Sequence, residues 1–185
     1  MNDKHFLSGN EAIARGAWEA GVHVATGYPG TPSTEIIENL ARYEDIDVEW
    51  STNEKVAFDV AYGACLAGAR ALVSMKHVGV NVALDSLMVT PFSGVHGGFV
   101  VITADDPGMH SSQNEQDNRF FAKFAKIPML EPSDSQECYD FIAEAMNISE
   151  QFDTPVVLRC TTRISHSLTP VQVRAWKDVP VRGFE

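Results

Sequence analysis

Glu54 is the residue whose type and position first suggest chemistry. It follows Ser51-Thr52-Asn53 and opens a run, residues 55–68, that is almost entirely nonpolar after its first turn. A carboxylate at the N-terminus of a buried helix is favoured by the helix dipole and disfavoured by desolvation. On local pattern alone it equally suits a helix cap or a solvated charge. Gly27-Tyr28-Pro29-Gly30-Thr31-Pro32-Ser33-Thr34 is the second informative stretch. Thr31 suits an N-cap and Pro32 a first helical position, giving a glycine-bearing loop that leads from a strand to a helix N-terminus. Open α/β sheets bind anionic groups at such places, although an ordinary strand-to-helix turn reads the same way. It is neither a Walker A nor a GxGxxG loop, because the lysine is missing and the glycines are misplaced. Two more polar stretches follow apolar runs: Lys76-His77 with Asn81, and the long segment from Asp105 to Asp117. A connection of that length within a compact domain is usually functional or mobile.

These residues need a scaffold, and the hydrophobic pattern supplies one. Ser8-Gly9-Asn10-Glu11 reads as a capping box, opening a helix that ends at Gly21. Strands are expected at residues 22–26, 71–75, 99–103, 129–131 and 156–161, with a short apolar segment at Val48 and Trp50. Helices fall between them: residues 32–43; the Glu54 helix; a segment carrying Val82 to Val89 that Pro91 ends; a short one with Phe120, Phe121 and Phe124; and one capped by Ser133-x-x-Gln136. Ala57, Ala61, Ala64 and Gly68 form a narrow small-residue face on the Glu54 helix. Val56, Phe58, Val60 and Leu66 cover its other sides, which predicts burial nearly all round. That small face is a candidate contact surface for a partner, with packing against its own sheet as the alternative. The alternation predicts an α/β fold: a doubly wound, mostly parallel sheet of about six strands with helices on both faces. The C-terminal ends of parallel strands share one edge, so the polar stretches are expected to converge there. Residues 1–163 read as one domain. Beyond Arg163 periodicity is lost, and Pro170, Pro180 and Gly183 mark 164–185 as a linker or tail.

Composition narrows the class. The 185 residues, 44% hydrophobic, suffice for one proper core. A net charge of −11 without a basic stripe argues against nucleic acid and anionic membranes as partners. Cys65, Cys138 and Cys160 lie far apart with no CxxC pair, which predicts reduced, buried thiols and no metal site. With no apolar run approaching the ~18 residues of a membrane span and no signal peptide, a cytoplasmic location is expected.

The motifs Gly27 to Thr34, Asn53-Glu54-Lys55-Val56-Ala57, Met75-Lys76-His77-Val78-Gly79-Val80-Asn81 and Ala104 to Asp117, in this order, resemble the 2-oxoacid:ferredoxin oxidoreductases. The likeness covers about residues 8–166, and the last two motifs are quite specific. It implies the pyrimidine-binding domain of a thiamine diphosphate enzyme that oxidatively decarboxylates an aryl pyruvate with coenzyme A and ferredoxin. A glutamate in the position of Glu54 would hydrogen-bond the ring nitrogen of the cofactor's aminopyrimidine and favour its imino tautomer. Tyr28, Pro29, Gly30 and Asn81 are implied to line the cofactor. Thr31 is implied near the substrate carboxylate, together with His77, Ser112, Gln113 and Asn114; for the 111–114 segment a purely structural loop role stands beside direct contact.

Departures from the family pattern matter equally. Related pyruvate enzymes carry an arginine where this chain has Asp105-Asp106, so no guanidinium clamp is evident. The GDG…N signature that binds magnesium and diphosphate is absent, as are cysteine clusters for iron–sulfur centres. Magnesium and the clusters are therefore expected on a missing domain. The implied partners are the remainder of the alpha chain or a subunit carrying the diphosphate-binding domain, a beta subunit, ferredoxin, and a second copy in a dimer. A non-catalytic α/β interaction or assembly domain remains open, as does a flavodoxin-like or dinucleotide-binding module.

Overall fold

The structure is a computed structural model describing residues 4–176 and 178–183. In chain order its elements are β1 (Lys4–Ser8), α1 (Gly9–Glu19), β2 (Val24–Gly27), α2 (Thr34–Leu40), β3 (Asp47–Trp50), α3 (Glu54–Leu66), β4 (Ala71–Lys76), α4 (His77–Ser93), β5 (Phe99–Asp105), α5 (Arg119–Ala125), β6 (Met129–Leu130), α6 (Ser135–Phe152), β7 (Val156–Thr161), α7 (Thr162–His166) and β8 (Leu168–Gln172). Six of the strands form one all-parallel sheet in the order β3-β2-β4-β5-β7-β6. Every residue of β4 and β5 is buried, which is why these strands read as near-continuous apolar runs: helices cover both their faces. The doubly wound α/β sheet expected from the alternation is thus the observed one.

Two cores sandwich the sheet. On one face α1, α2 and α6 pack Ile13, Ile36, Ile37, Leu40, Ile142 and Met146 against Leu72, Val100, Ile102 and Leu158. On the other, α3, α4 and α5 pack Ala57, Phe58, Ala61, Leu87 and Ala122 against Val73, Met75, Phe99 and Val101. The rings of Phe58 and Phe99 meet edge to face at 5.2 Å, a favoured aromatic geometry. Cys65, Cys138 and Cys160 are free thiols buried in these cores, and burial pushes the Cys65 thiol up to about 11. Among the described residues no helix is long and apolar enough to cross a membrane.

Several local expectations need correction. The Thr31–Pro32 peptide is cis and α2 begins at Thr34, so Thr31 does not cap a helix. α4 starts at His77 and runs through Pro91 to Ser93, because the proline falls in the last turn and removes a single ladder bond; Gly94, at φ 79°, then closes it by donating to the Thr90 carbonyl. Asp134, not Ser133, caps α6 by accepting from the Glu137 amide. α3 is not buried all round: Ala57, Ala61 and Cys65 face its own sheet, whereas Val56, Val60 and Leu66 are exposed.

The segment beyond Arg163 also has more order than its sequence suggests. β8 pairs antiparallel with β1, Ser8 opposite Leu168 and Lys4 opposite Gln172. Residues 174–176 and 178–183 then lie along the N-terminal edge of the sheet. The Val179 carbonyl meets His23 Nε2 at 2.7 Å, and the Arg182 amide donates to Gly68 at 2.9 Å. Lys177, Phe184 and Glu185, also within the expected tail, lie outside the described residues.

Candidate functional site

The connections after β2, β3, β4 and β5 all leave the C-terminal edge of the sheet. β2 leads into α2 on one face, and β4 leads into α4 on the other. The strand order reverses between β2 and β4, and a crevice opens outside the strand ends where neighbouring chains diverge in this way.

The loop after β2 is wound tightly around Gly30. Its amide donates to Thr34 Oγ1, and its carbonyl accepts from the Ser33 amide and hydroxyl, each at 2.8 Å. A Cβ on Gly30 would lie 3.1 Å from Lys76 Cβ, so the absent side chain lets this loop sit against the end of β4. Tyr28, Pro29 and Thr31 are exposed beside it and hydrogen-bond to no described residue.

Between β3 and α3 the cap is Asn53, whose side chain accepts from the Val56 amide at 3.0 Å. Glu54 is therefore released from capping. Its half-buried carboxylate makes no hydrogen bond or ion pair with any described residue. It lies instead against the first turn of α4, where a Cβ on Gly79 would come within 2.7 Å of Glu54 Cγ and Oε1. Nearby in sequence, Ser51 is buried and its hydroxyl is unpartnered. A free carboxylate and an orphaned buried hydroxyl within four residues form an edge able to receive an external polar group. On the outer side, Lys55 Nζ donates to Asp85 Oδ2 and Ser86 Oγ, both at 2.9 Å, fastening α3 to α4.

The loop of residues 106–118 is held by two adjacent carboxylates with different tasks. Asp105 points inward: it accepts from Arg159 Nε at 2.8 Å and from the Asn118 amide at 3.1 Å. Burial pushes its carboxyl up against those donors. Asp106 accepts from the Ser111 amide at 2.8 Å, Ser112 Oγ at 2.6 Å and Thr162 Oγ1 at 2.8 Å. Burial alone would raise the Asp106 carboxyl, but the Ser112 hydroxyl, Ser111 amide and Thr162 hydroxyl outweigh it and hold the group well below the usual carboxylate range. Lys76 Nζ donates to the Ser111 carbonyl at 2.6 Å. His77 is fully buried, with Nε2 3.2 Å from the Asn114 carbonyl and Nδ1 unpartnered.

The structure thus brings Gly30 to Lys76, Glu54 to Gly79 and His77 to Asn114. The Ser112 hydroxyl is engaged inside its own loop, Asn114 meets His77 through its backbone, and Gln113 and Asn81 are exposed without a hydrogen-bonding partner. Asn118 and Arg159 were not singled out from sequence, and Lys76, Gly79 and Asp106 were named only within longer stretches, with no role of their own. The available signal was a charged residue ending or interrupting an apolar strand run, as Lys76 and Arg159 do. Among the described residues no group of three or more His, Cys, Asp or Glu side chains is arranged to hold a metal.

The sheet order and the carboxylate free of described partners define a doubly wound α/β module with a candidate ligand site at its strand ends. The chain belongs to the family described as pyruvate flavodoxin/ferredoxin oxidoreductase, thiamine diphosphate-binding, which matches residues 15–181. It is 54% identical over 178 residues to the indolepyruvate oxidoreductase subunit IorA of Archaeoglobus fulgidus, covering 92% of this chain and 29% of that one. The same subunit of Methanothermobacter thermautotrophicus is 52% identical over 185 residues, covering 98% and 30%. The 2-oxoglutarate synthase subunit KorA of the latter organism is 31% identical over 176 residues, covering 90% and 46%. This chain therefore spans less than a third of its IorA relatives. A 2-oxoglutarate:ferredoxin oxidoreductase from Magnetococcus marinus, solved with 2-oxoglutarate, coenzyme A and succinyl-CoA bound, shares the fold at a TM-score of 0.84 over 98% of this chain and 33% of its own, with 19% identity.

Proposed function

We propose that this chain is the pyrimidine-binding domain of a thiamine diphosphate-dependent enzyme that oxidatively decarboxylates an aryl pyruvate, indolepyruvate foremost, to the aryl-acetyl-CoA while reducing ferredoxin. The observation that carries the reading is the half-buried Glu54 carboxylate, without a partner among the described residues, in a member of a thiamine diphosphate-binding family. When bound, the cofactor supplies a nucleophilic carbon and an electron sink. Glu54 accepts or shares a proton at a ring nitrogen of its aminopyrimidine, with Tyr28, Pro29, Gly30 and Asn81 shaping that half of the pocket. Thr31, Gln113 and Asn114 face the substrate side, with buried His77 acting through the Asn114 carbonyl and Ser112 through the loop conformation it fixes. A non-catalytic assembly domain gives no reason to keep an unpartnered carboxylate at this edge.

The rest of the enzyme, carried by the continuation of the chain beyond 164–185 or by another subunit, supplies the magnesium-diphosphate site and the iron–sulfur centres. Buried free thiols suit a cytoplasmic location. Assembly has a surface to use. Val82, Val89 and Phe92 on α4 and Phe120 and Phe124 on α5 are large, apolar and exposed, Phe92 at 83% and Phe124 at 76%. Spacings of seven and three place the α4 residues on one stripe. This stripe replaces the small-residue face of α3 as the contact surface for a dimer or complex, since Ala57 and Ala61 pack inward.

In the assembled enzyme, thiamine diphosphate with magnesium is expected to raise the melting temperature, whereas flavin and NAD leave it unchanged. Turnover of indolepyruvate should require coenzyme A and ferredoxin. A shift with flavin or NAD but none with thiamine diphosphate overturns the assignment.

Gly79→Ala provides a second check. An alanine Cβ would lie 2.7 Å from both Glu54 Cγ and Oε1, so the whole Glu54 side chain must turn away, which its half-exposed position allows. Stability is expected to hold or rise by about 0.5–1 kcal/mol, since alanine is the better helix former. Turnover should fall by roughly 100-fold, the typical effect of misplacing a reacting group by about an ångström. Full activity in a Gly79→Ala enzyme would show that the Glu54 position is not what matters.

A further inference from the structure

We infer that Lys76 is the cation that receives the carboxylate of the 2-oxoacid substrate. This rests on the functional reading above and assigns a recognition group within that site. Lys76 ends β4 at the sheet edge, beside the point where the strand order reverses, and only 8% of it is exposed. Among the described residues it has no carboxylate partner. Its ammonium donates to the Ser111 carbonyl at 2.6 Å and approaches Ser111 Oγ at 3.4 Å. An ammonium has three donors, and here one is left over while the charge stays uncompensated.

Burying an unpaired ammonium is strongly unfavourable unless an anion meets it. The acids closest in the loop packing do not serve. Asp106 is saturated by Ser111, Ser112 and Thr162, and Asp105 is turned into the core against Arg159. No described acid closes the Gly30 side of it either. Gly30 packs against the Lys76 stem without a side chain of its own, and Thr31, exposed, follows it. Lys76 is therefore held between the Gly30 loop and the 106–112 loop with its charge at the crevice. A carboxylate entering there completes the ammonium's hydrogen bonds and neutralises it, and charge-assisted bonds of this kind are the stronger ones.

The test uses the assembled, cofactor-loaded enzyme and two probes of one shape, indole-3-propionate and its primary amide, followed by titration calorimetry. Wild-type enzyme is expected to prefer the carboxylate by roughly 10- to 100-fold, as hydrogen bonds to charged groups typically give. Lys76→Met and Lys76→Gln should erase the preference, and Lys76→Arg should retain most of it. In turnover, the neutral variants should raise KM for indolepyruvate more than they lower kcat. If Lys76 only anchors the loop through Ser111, the neutral variants weaken both probes alike and the preference survives, which overturns the inference while leaving the functional reading intact. A wild-type enzyme that binds both probes equally overturns it without any variant. A wild-type enzyme that binds neither removes the functional reading and this inference together.

Discussion

Glu54→Gln in the assembled enzyme is expected to abolish decarboxylation while leaving the fold untouched. Glutamine keeps the size of the side chain, and the carboxylate it replaces makes no hydrogen bond to a described residue that could be lost. The α3 cap is Asn53, which stays in place. What remains is the attraction of a charge to nearby helix N-termini, so stability should move by at most ~1 kcal/mol. Proton transfer by a positioned group typically contributes about 100- to 10,000-fold, and turnover should fall by at least that factor. The measurement is paired: melting temperature, and the rate on indolepyruvate with coenzyme A and ferredoxin. A well-folded variant with wild-type turnover would falsify the role given to Glu54.

The largest effect on stability is expected at Arg159, in the middle of β7. The residue is 5% exposed, and its guanidinium donates to Asp105 at 2.8 Å and to Glu131 and lies 3.8 Å from Asp117. Asp105 is fully buried. Arg159→Leu leaves that carboxylate stranded, and breaking a buried pair by removing one partner typically costs about 3–5 kcal/mol. Against a total stability of about 5–15 kcal/mol that is a large fraction. Adding Asp105→Asn to Arg159→Leu should recover part of the loss, because the stranded charge disappears. Denaturant titration of the three proteins decides the matter. An Arg159→Leu protein within ~0.5 kcal/mol of wild type would mean that Asp105 is not ionised against Arg159 in the fold.

The contrast between these two residues shows what the sequence makes legible. Glu54 stands out in one dimension because a charge inside an apolar helical pattern is anomalous wherever the helix packs. That its carboxylate is unpartnered could not be read, since this depends on Asn53 taking the cap and on Gly79 arriving from another helix. The pairing of Arg159 with Asp105 spans 54 positions, and no local pattern encodes a contact of that range. β4, β5 and β7 were legible because burial on both faces demands unbroken apolar runs. β1 and β8 were not: both are half-exposed and short, and Pro170 in β8 argues against a strand except at an edge. The start of α2 was misplaced because Thr31, Pro32, Ser33 and Thr34 all suit a helix N-terminus, and only the tertiary path chooses among them.

The lacing of residues 178–183 along the N-terminal edge of the sheet bears on the order in which the chain folds. The contact between His23 and Val179 joins residues 156 positions apart. Closing a flexible loop of that size costs roughly 4–5 kcal/mol in chain entropy on a logarithmic scaling, against about 1 kcal/mol returned by a typical hydrogen bond. Such a contact cannot nucleate anything. It forms only after the six-stranded sheet has brought His23 and Gly68 to one edge and β8, paired with β1, has led the chain back from the opposite edge where β7 ends. The tail is therefore a latch that closes last. Because it lies at the edge opposite Glu54 and Lys76, the ligand-binding edge can be complete before the latch is in place.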